Sequence, residues 1–200
     1  MRWARTLSTV LLLAGGSLML FPLLRIAYTT FLVGPIQEAA LAAWEQQAPS
    51  AAERGHAAKR RTPEGLILTI PRLGLRRFIP EGANLAQLRR YGAGRITWTA
   101  LPDRTGIVAI AGHRSTYGAP FYRLNKLERG DLVLIDYAGK RFSYIVTDQR
   151  VLKPERSEVL QGPPGHRGVA LVTCTPVYSA AYRLVVLGKL SEISEISSRP

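Results

Sequence analysis

The chain has 200 residues, a formal net charge of +13 and 46% hydrophobic residues, which is enough for one packed domain and an extra segment. Its single cysteine, Cys174, excludes an intramolecular disulfide and a structural zinc site built on several thiolates. The basic residues are scattered without aromatic interleaving. We therefore expect a basic surface in anionic surroundings and no nucleic-acid binding.

The N-terminal segment, residues 1–34, predicts a cytoplasmic tip followed by a transmembrane signal anchor. Leu7 to Leu24 is an uncharged run of 18 residues, and a helix of that length covers roughly 27 Å. Arg2 and Arg5 precede the run, which places the N-terminus in the cytoplasm and the remaining chain outside. A cleaved signal peptide is the competing interpretation, with small residues near Ala39 as the processing site. Both interpretations predict an exported domain.

Residues 35–63 contain three prolines and are rich in Ala, Gln, Glu and Arg. They lack a sustained apolar period, apart from one possible short helix over residues 36–47. This composition predicts an extracellular stalk between the membrane and the folded domain. At the other end of the chain, residues 191–200 are expected to form a polar tail.

Residues 64–190 predict an all-β domain, because short β-like runs alternate with glycine and proline. Eight runs qualify: Leu66–Ile70, Arg76–Ile79, Arg95–Thr99, Ile107–Ala111, Leu132–Tyr137, Arg141–Val151, Val169–Thr173 and Arg183–Leu190. Eight short strands indicate a closed barrel or a sandwich. Short helical segments are expected at Asn84–Tyr91 and Pro120–Leu127.

Three chemically versatile side chains stand at the ends of predicted strands. Cys174 lies where an apolar run stops before a proline-containing loop, Arg183 opens the next strand, and His113 follows the strand end broken by Gly112. Each has an ordinary explanation alone: a buried thiol, a surface charge or a structural imidazole. Together they suit covalent acyl transfer, in which thiolate attacks a peptide carbonyl, imidazole moves the proton and guanidinium binds the developing oxyanion.

These segments resemble the sortase family. The tripeptide Ala-Gly-His ending at His113 resembles the family's histidine segment, and Leu-Val-Thr-Cys ending at Cys174, with Arg183 downstream, resembles its cysteine signature. The run Ile70–Leu75 resembles its first barrel strand. The resemblance implies an eight-stranded sortase-type β-barrel with Cys174 as nucleophile, His113 as acid and base, and Arg183 as stabiliser of the reacting carbonyl. It further implies cleavage of a C-terminal sorting signal between Thr and Gly.

The stretch from Gly112 to Phe121 is most similar to class E sortases of actinobacteria. For that class the resemblance implies a preference for Leu-Ala-x-Thr-Gly over Leu-Pro-x-Thr-Gly signals, in which Tyr117 is implicated. A tyrosine hydroxyl at the second signal position could accept a hydrogen bond from a backbone N–H that proline lacks. Ser115 and Thr173 are assigned to substrate binding together with Tyr117.

The partners implied are sorting-signal peptides of secreted surface proteins, an acceptor amine of peptidoglycan precursor, and the membrane, which a single helix crosses. We expect a monomer that needs no cofactor and no metal, since no acidic cluster has calcium-loop spacing. Two alternatives stay open. One is a pilin-polymerising sortase, although nothing here resembles the lid segment of many such enzymes. The other is a non-catalytic cell-wall binding domain, whose binding would be indifferent to alkylation of its cysteine.

Overall fold

The computed structural model describes residues 2–47, 65–163 and 165–196. Over these ranges a long helix precedes eight strands and one short α-helix. The helices are α1 (Arg2–Gln47) and α2 (Leu85–Tyr91). The strands are β1 (Gly65–Ile70), β2 (Leu75–Pro80), β3 (Ala93–Arg95), β4 (Gly106–Gly112), β5 (Leu132–Tyr137), β6 (Lys140–Leu152), β7 (Arg167–Thr175) and β8 (Tyr182–Glu195). Single 3-10 turns occupy Pro71–Leu73, Leu124–Lys126 and Glu158–Leu160.

The eight strands form a single sheet in the order β2-β1-β5-β6-β8-β7-β4-β3. Strands β4 and β7 pair in parallel, whereas the other neighbouring strands are antiparallel. The two edges approach each other where Glu81, just after β2, bridges to Arg95 at the end of β3. The sheet is therefore a nearly closed barrel, and the predicted all-β fold with eight strands and short helices is confirmed.

Alternation along each strand sends one set of apolar side chains into the barrel and another outward. The interior is filled by large residues without solvent exposure, among them Leu68, Ile110, Phe121, Ile135 and Leu171. A second, smaller apolar cluster lies on the outer face of β4, β7 and β8, where Ile107, Ala109, Leu160, Ala170 and Val185 pack together. That outer cluster supports the surface on which the candidate site lies.

The strand predicted over Arg95–Thr99 is largely wrong, since β3 ends at Arg95 and a turn follows. The Arg95 side chain is only 5% exposed and pairs with Glu81. Its Nη1 also donates to the backbone carbonyls of Thr99 and Ala100, at 2.7 and 3.2 Å. A buried cation needs such acceptors, and supplying them bends the backbone away from a strand.

The first helix is longer than the predicted anchor. Over Thr6–Gln46 it is long and apolar enough to cross a membrane, with a mean hydropathy of 2.0 in its most apolar window. It continues without interruption through residues 35–47, which were expected to belong to a stalk. Side chains at the start of this part and just before it pack on the barrel: Gln37 is 1% and Val33 4% exposed. The rest of the expected stalk, residues 48–64, lies outside the described residues.

The C-terminal boundary also differs from the prediction. Strand β8 runs to Glu195, and its end pairs with the start of β6, with Lys140 opposite Glu195. Residues 191–195, expected in a polar tail, are thus part of the sheet. Because their side chains are exposed, a pattern of buried apolar positions does not predict this end of the strand. Residues 197–200 of the expected tail are not among those described.

Candidate active site

Cys174 and His113 are brought together by the parallel pairing of β4 and β7. The last register pair is Ala111 opposite Val172, so continuing both chains by two residues sets His113 beside Cys174. The intervening residues are also tied together, because the Thr173 hydroxyl donates a 2.8 Å hydrogen bond to the Gly112 carbonyl. Since residues paired in parallel strands share a face, imidazole and thiol follow Ala111 and Val172 onto the outer face.

Arg183 lies directly opposite Cys174 in the antiparallel register of β7 and β8. Its Nη1 donates to the carbonyls of Ala180 and Tyr182, at 2.9 and 3.1 Å, which fastens the guanidinium to its own turn. The described part of the chain provides no carboxylate within ion-pair distance of Arg183. The cation is therefore held in place with its remaining donors available to a substrate oxygen.

A groove of about 330 Å³ runs along this outer face. The floor of the groove is built by Ala111, Val172 and Val185. Each of them lies two positions along its strand from one of the three candidate residues. Arg183 itself also lines the groove. Its walls come from the segments after β2 and β3 and from the β6–β7 connection; they are formed by Ala83, Ile96, Trp98, Pro154, Arg156, Ser157, Val159 and Leu160. A groove with an apolar floor and a guanidinium in its lining can hold an extended peptide chain.

Cys174 is half-buried, so its thiol is neither sealed in the core nor fully exposed. Its backbone is held by Arg114, whose Nη1 donates to the Cys174 carbonyl at 3.3 Å and whose Nη2 donates to Asn125 Oδ1 at 2.9 Å. Arg114 is only 7% exposed. Arg114 is not among the residues predicted from the sequence, and its position next to His113 is the one signal that could have suggested it.

His113 is fixed at both backbone groups. Its N–H donates to the Gly92 carbonyl at 2.9 Å, and its carbonyl accepts from Phe121 at 3.1 Å. The imidazole lies against the Tyr117 ring, with 5.0 Å between ring centroids. The buried Nε2 atom has no hydrogen-bond partner among the described residues. The backbone hydrogen bonds and the ring contact therefore fix the imidazole beside Tyr117.

The three residues predicted to bind substrate have different surroundings. Tyr117 is half-buried beside His113, in a backbone conformation with φ of 50°, and Ser115 is half-buried in the same loop. Thr173 is 2% exposed, and its hydroxyl is bonded to Gly112. This burial argues against the predicted substrate-binding role of Thr173, because its side chain faces the barrel interior. Its contact instead joins the two strands that carry the histidine and the cysteine.

Burial, and to a lesser degree the positive charge of Arg89, lower the pKa of His113 below its ordinary value of 6.5. Because the folded state binds this proton more weakly than the unfolded state, the contribution of His113 to stability is complete above pH 6.5. It is lost as the pH falls from there toward the lowered pKa. Neutral imidazole is therefore the resting form at pH 7, and it can accept a proton.

We expect Arg89→Gln to raise the pKa of His113, because the substitution removes the positive charge of Arg89 while the burial of the imidazole persists. NMR titration of the His113 ring measures the change. Arg90→Gln is the matched control, since Arg90 is also exposed on α2 but lies over the Tyr91 ring, with 5.4 Å to its centroid. An equal rise in both variants would show that net charge, and not the Arg89 position, sets the pKa.

Comparison with known proteins identifies the family of this domain. The sortase domain model matches residues 68–191. The chain is 34% identical over 140 residues to sortase SrtE1 of Streptomyces coelicolor, and 36% identical over 105 residues to SrtE2 of the same organism. The alignments cover 63% and 47% of this chain. They span 40% of the length of each relative, so each relative contains much that is not compared.

Solved structures show the same fold. The crystal structure of sortase E1 from Streptomyces coelicolor, with a tripeptide in its active site, superposes with a TM-score of 0.62 at 33% identity. The superposition covers 66% of this chain and 90% of the chain of sortase E1. Sortase E of Streptomyces avermitilis gives 0.60 at 29% identity and covers 66% of this chain and 91% of that one. The sortase barrel is thus confirmed, and the resemblance to class E holds across both comparisons. The chain belongs to the sortase family.

Proposed function

We propose that this protein is a cysteine transpeptidase that cleaves a Leu-Ala-x-Thr-Gly or Leu-Pro-x-Thr-Gly type sorting signal between Thr and Gly. The acyl group is then transferred to an amine of the cell envelope, which anchors the surface protein to peptidoglycan. The observation that carries this proposal is the strand register. Cys174 is paired with Arg183 on one side and follows the pairing of β4 and β7 toward His113 on the other, and Arg183 lines the groove.

The chemistry follows from these three groups. Neutral His113 first takes the proton of the Cys174 thiol. The thiolate then forms a bond to the threonine carbonyl carbon, and Arg183 binds the oxygen as it becomes negative. The C–N bond to glycine breaks, and protonated His113 gives its proton to the departing amine. Neutral His113 then takes a proton from the incoming amine, which attacks the thioester. The new amide bond forms as the C–S bond breaks, and the thiolate is restored.

The groove suits an extended apolar signal. Its floor is apolar, and Trp98 on its wall is 57% exposed, so a large ring is available for a ligand to cover. We assign the second signal residue to the space beside Tyr117, whose ring lies against the His113 imidazole. There the Tyr117 hydroxyl oxygen accepts the backbone N–H of alanine, which proline lacks.

The membrane topology is part of the proposal. Helix α1 is apolar and exposed from Leu7 to Leu24, as a lipid-facing segment would be. The arginines at its start favour a cytoplasmic N-terminus. The barrel and its groove then lie outside the cell, where exported proteins and peptidoglycan precursor meet it. A monomeric state stays a prediction.

The proposal is tested by mass measurement of the intact protein after incubation with signal peptides. We expect an adduct equal to the peptide portion through threonine, bound to Cys174, and more of it with alanine than with proline at the second position. An adduct that retains the glycine and the residues after it would contradict cleavage between Thr and Gly. Binding without any covalent adduct would favour a non-catalytic cell-wall domain.

We expect Tyr117→Phe to reduce the preference for alanine over proline by about fivefold, the effect of one hydrogen bond. The ratio of kcat/KM for the two peptides measures it. Tyr122→Phe is the matched control, because Tyr122 follows in the same loop and is 49% exposed. A ratio unchanged in Tyr117→Phe would remove the hydroxyl from the discrimination and leave Tyr117 as a packing residue beside His113.

A further inference from the structure

The last turns of α1 form a docked segment, residues 33–46, on the barrel. Its buried and half-buried positions recur at helical spacing and are Val33, Gly34, Ile36, Gln37, Ala40, Leu41 and Trp44. The positions between them are mostly exposed. At the far end, Glu45 forms a 2.8 Å ion pair with Arg76 of β2. A helix with one face covered over more than three turns is held by the domain and is not a free tether.

Gln37 makes the most specific contact of this docked segment. Its side-chain amide accepts from the Phe78 N–H at 3.0 Å and donates to the Phe78 carbonyl at 3.0 Å. These are the two bonds that a neighbouring strand would make to a residue of edge strand β2. The same Nε2 donates to the Tyr91 carbonyl at 2.7 Å. Because Gln37 is 1% exposed, losing it would leave buried backbone groups unpaired.

The end of α2 connects this contact to the active site. Gly92 follows Tyr91, and its carbonyl accepts the His113 N–H at 2.9 Å. A Cβ on Gly92 would lie 2.6 Å from the Tyr117 carbonyl, so the two backbones are in close contact. The residues Tyr91 and Gly92 therefore touch Gln37 on one side and the histidine loop on the other.

Val33 contacts the same histidine loop from the membrane side. A Cβ on Gly118, which has φ of +76°, would lie 3.1 Å from Val33 Cγ1, so the loop backbone runs close to this side chain. Val33 is 4% exposed, whereas Phe31, two residues nearer the membrane, is 78% exposed. The loop that carries Tyr117 thus packs where the lipid-facing part of α1 ends.

We propose that the docked segment is a positioning element of the active site, in which Gln37 and Val33 hold the end of α2 and the Tyr117 loop and so set the position of His113. The membrane anchor and the catalytic groove then form one rigid unit. Gln37 acts through Tyr91 and Gly92 and does not touch the substrate. This inference rests on the proposed transpeptidase function, since it assigns His113 a role in turnover.

The test compares two identical substitutions on one helix of the full chain in detergent. Gln37→Leu removes the contacts to Phe78 and Tyr91, whereas Gln46→Leu changes an exposed position and serves as control. We expect Gln37→Leu to lower kcat about tenfold with KM for the signal peptide within about twofold, because small displacements of a reacting group are costly. Amide exchange at Phe78 should accelerate in Gln37→Leu alone.

Several results would overturn the proposal. Faster exchange at Phe78 with kcat equal to that of Gln46→Leu would show a docking contact that does not position His113. Unchanged exchange at Phe78 would show that the docked contact is not made. A loss of kcat that matches the loss of folded protein would show a role in stability alone. If Gln37→Leu does not fold, Val33→Ala carries the same comparison of kcat with KM, because it keeps the Gln37 hydrogen bonds.

The outcome is separable from the proposed function. Every variant is measured relative to the unaltered chain, so absence of cleavage and of adduct in that chain contradicts the transpeptidase itself. If the unaltered chain cleaves the peptide, and Gln37→Leu and Val33→Ala both cleave it at the same rate, only the positioning role is contradicted.

Discussion

Cys174→Ala is expected to abolish the covalent adduct and to lower turnover of a Leu-Ala-x-Thr-Gly peptide by at least about 10³-fold. No other thiol exists in the chain, so no neighbouring residue can replace the nucleophile. Water held by His113 and Arg183 is left as the only attacking group, and it forms no thioester. Chromatographic detection of the cleaved peptide measures turnover, and intact mass measures the adduct.

The fold should survive this substitution. It is the backbone carbonyl of Cys174, not its sulfur, that accepts the Arg114 hydrogen bond, and the side chain is only half-buried. Removing the sulfur therefore leaves the β7–β8 pairing and the groove walls unchanged. Equal melting temperatures of the two proteins provide the control. Turnover by Cys174→Ala above the rate without protein would refute the thiol mechanism.

The three candidate residues illustrate what local sequence patterns can predict. Cys174 and Arg183 are joined by a short connection between antiparallel strands, so their pairing follows from nine residues of sequence. His113 reaches Cys174 through a parallel pairing of strands that are distant in the chain. No period or turn signal encodes such a pairing. The prediction that His113 lies near Cys174 therefore came from the resemblance to the family and not from local sequence patterns.

The elements that were predicted wrongly share a physical cause. The turn after Arg95 exists because the buried guanidinium pairs with Glu81 and also bonds to carbonyls of the turn itself, and the end of β8 is a strand with exposed side chains. The docked part of α1 is buried through Gln37, a polar residue that an apolar pattern does not count. In each case tertiary hydrogen bonds outweigh the local pattern. Arg114 could not be predicted for the same reason, because its contacts to Cys174 and Asn125 are tertiary hydrogen bonds.

Arg183→Ala is the second substitution with a large expected effect. We expect kcat/KM for the signal peptide to fall about 10²- to 10³-fold, the cost of removing one donor to a developing oxyanion. The loss should lie mainly in kcat, because the negative charge on the carbonyl oxygen exists only near the transition state. Steady-state kinetics of peptide cleavage separate the two constants. Arg183→Lys should recover only part of the rate, since lysine keeps the charge but lacks the fork of donors.

The position of Arg183 opposite Cys174 argues for a role in stabilising the oxyanion and against a purely structural role. Arg183 Nη1 is already bonded to Ala180 and Tyr182, so an arginine that merely ordered the turn would lose stability on substitution and would change kcat and KM together. Lys189→Ala is the matched control, because Lys189 is an exposed cation on the same strand, opposite Gly168 and six residues from Arg183. A similar loss in Lys189→Ala would point to the general basic surface. A loss of Arg183→Ala confined to KM would make Arg183 a ground-state binding residue, with the oxyanion stabilised elsewhere.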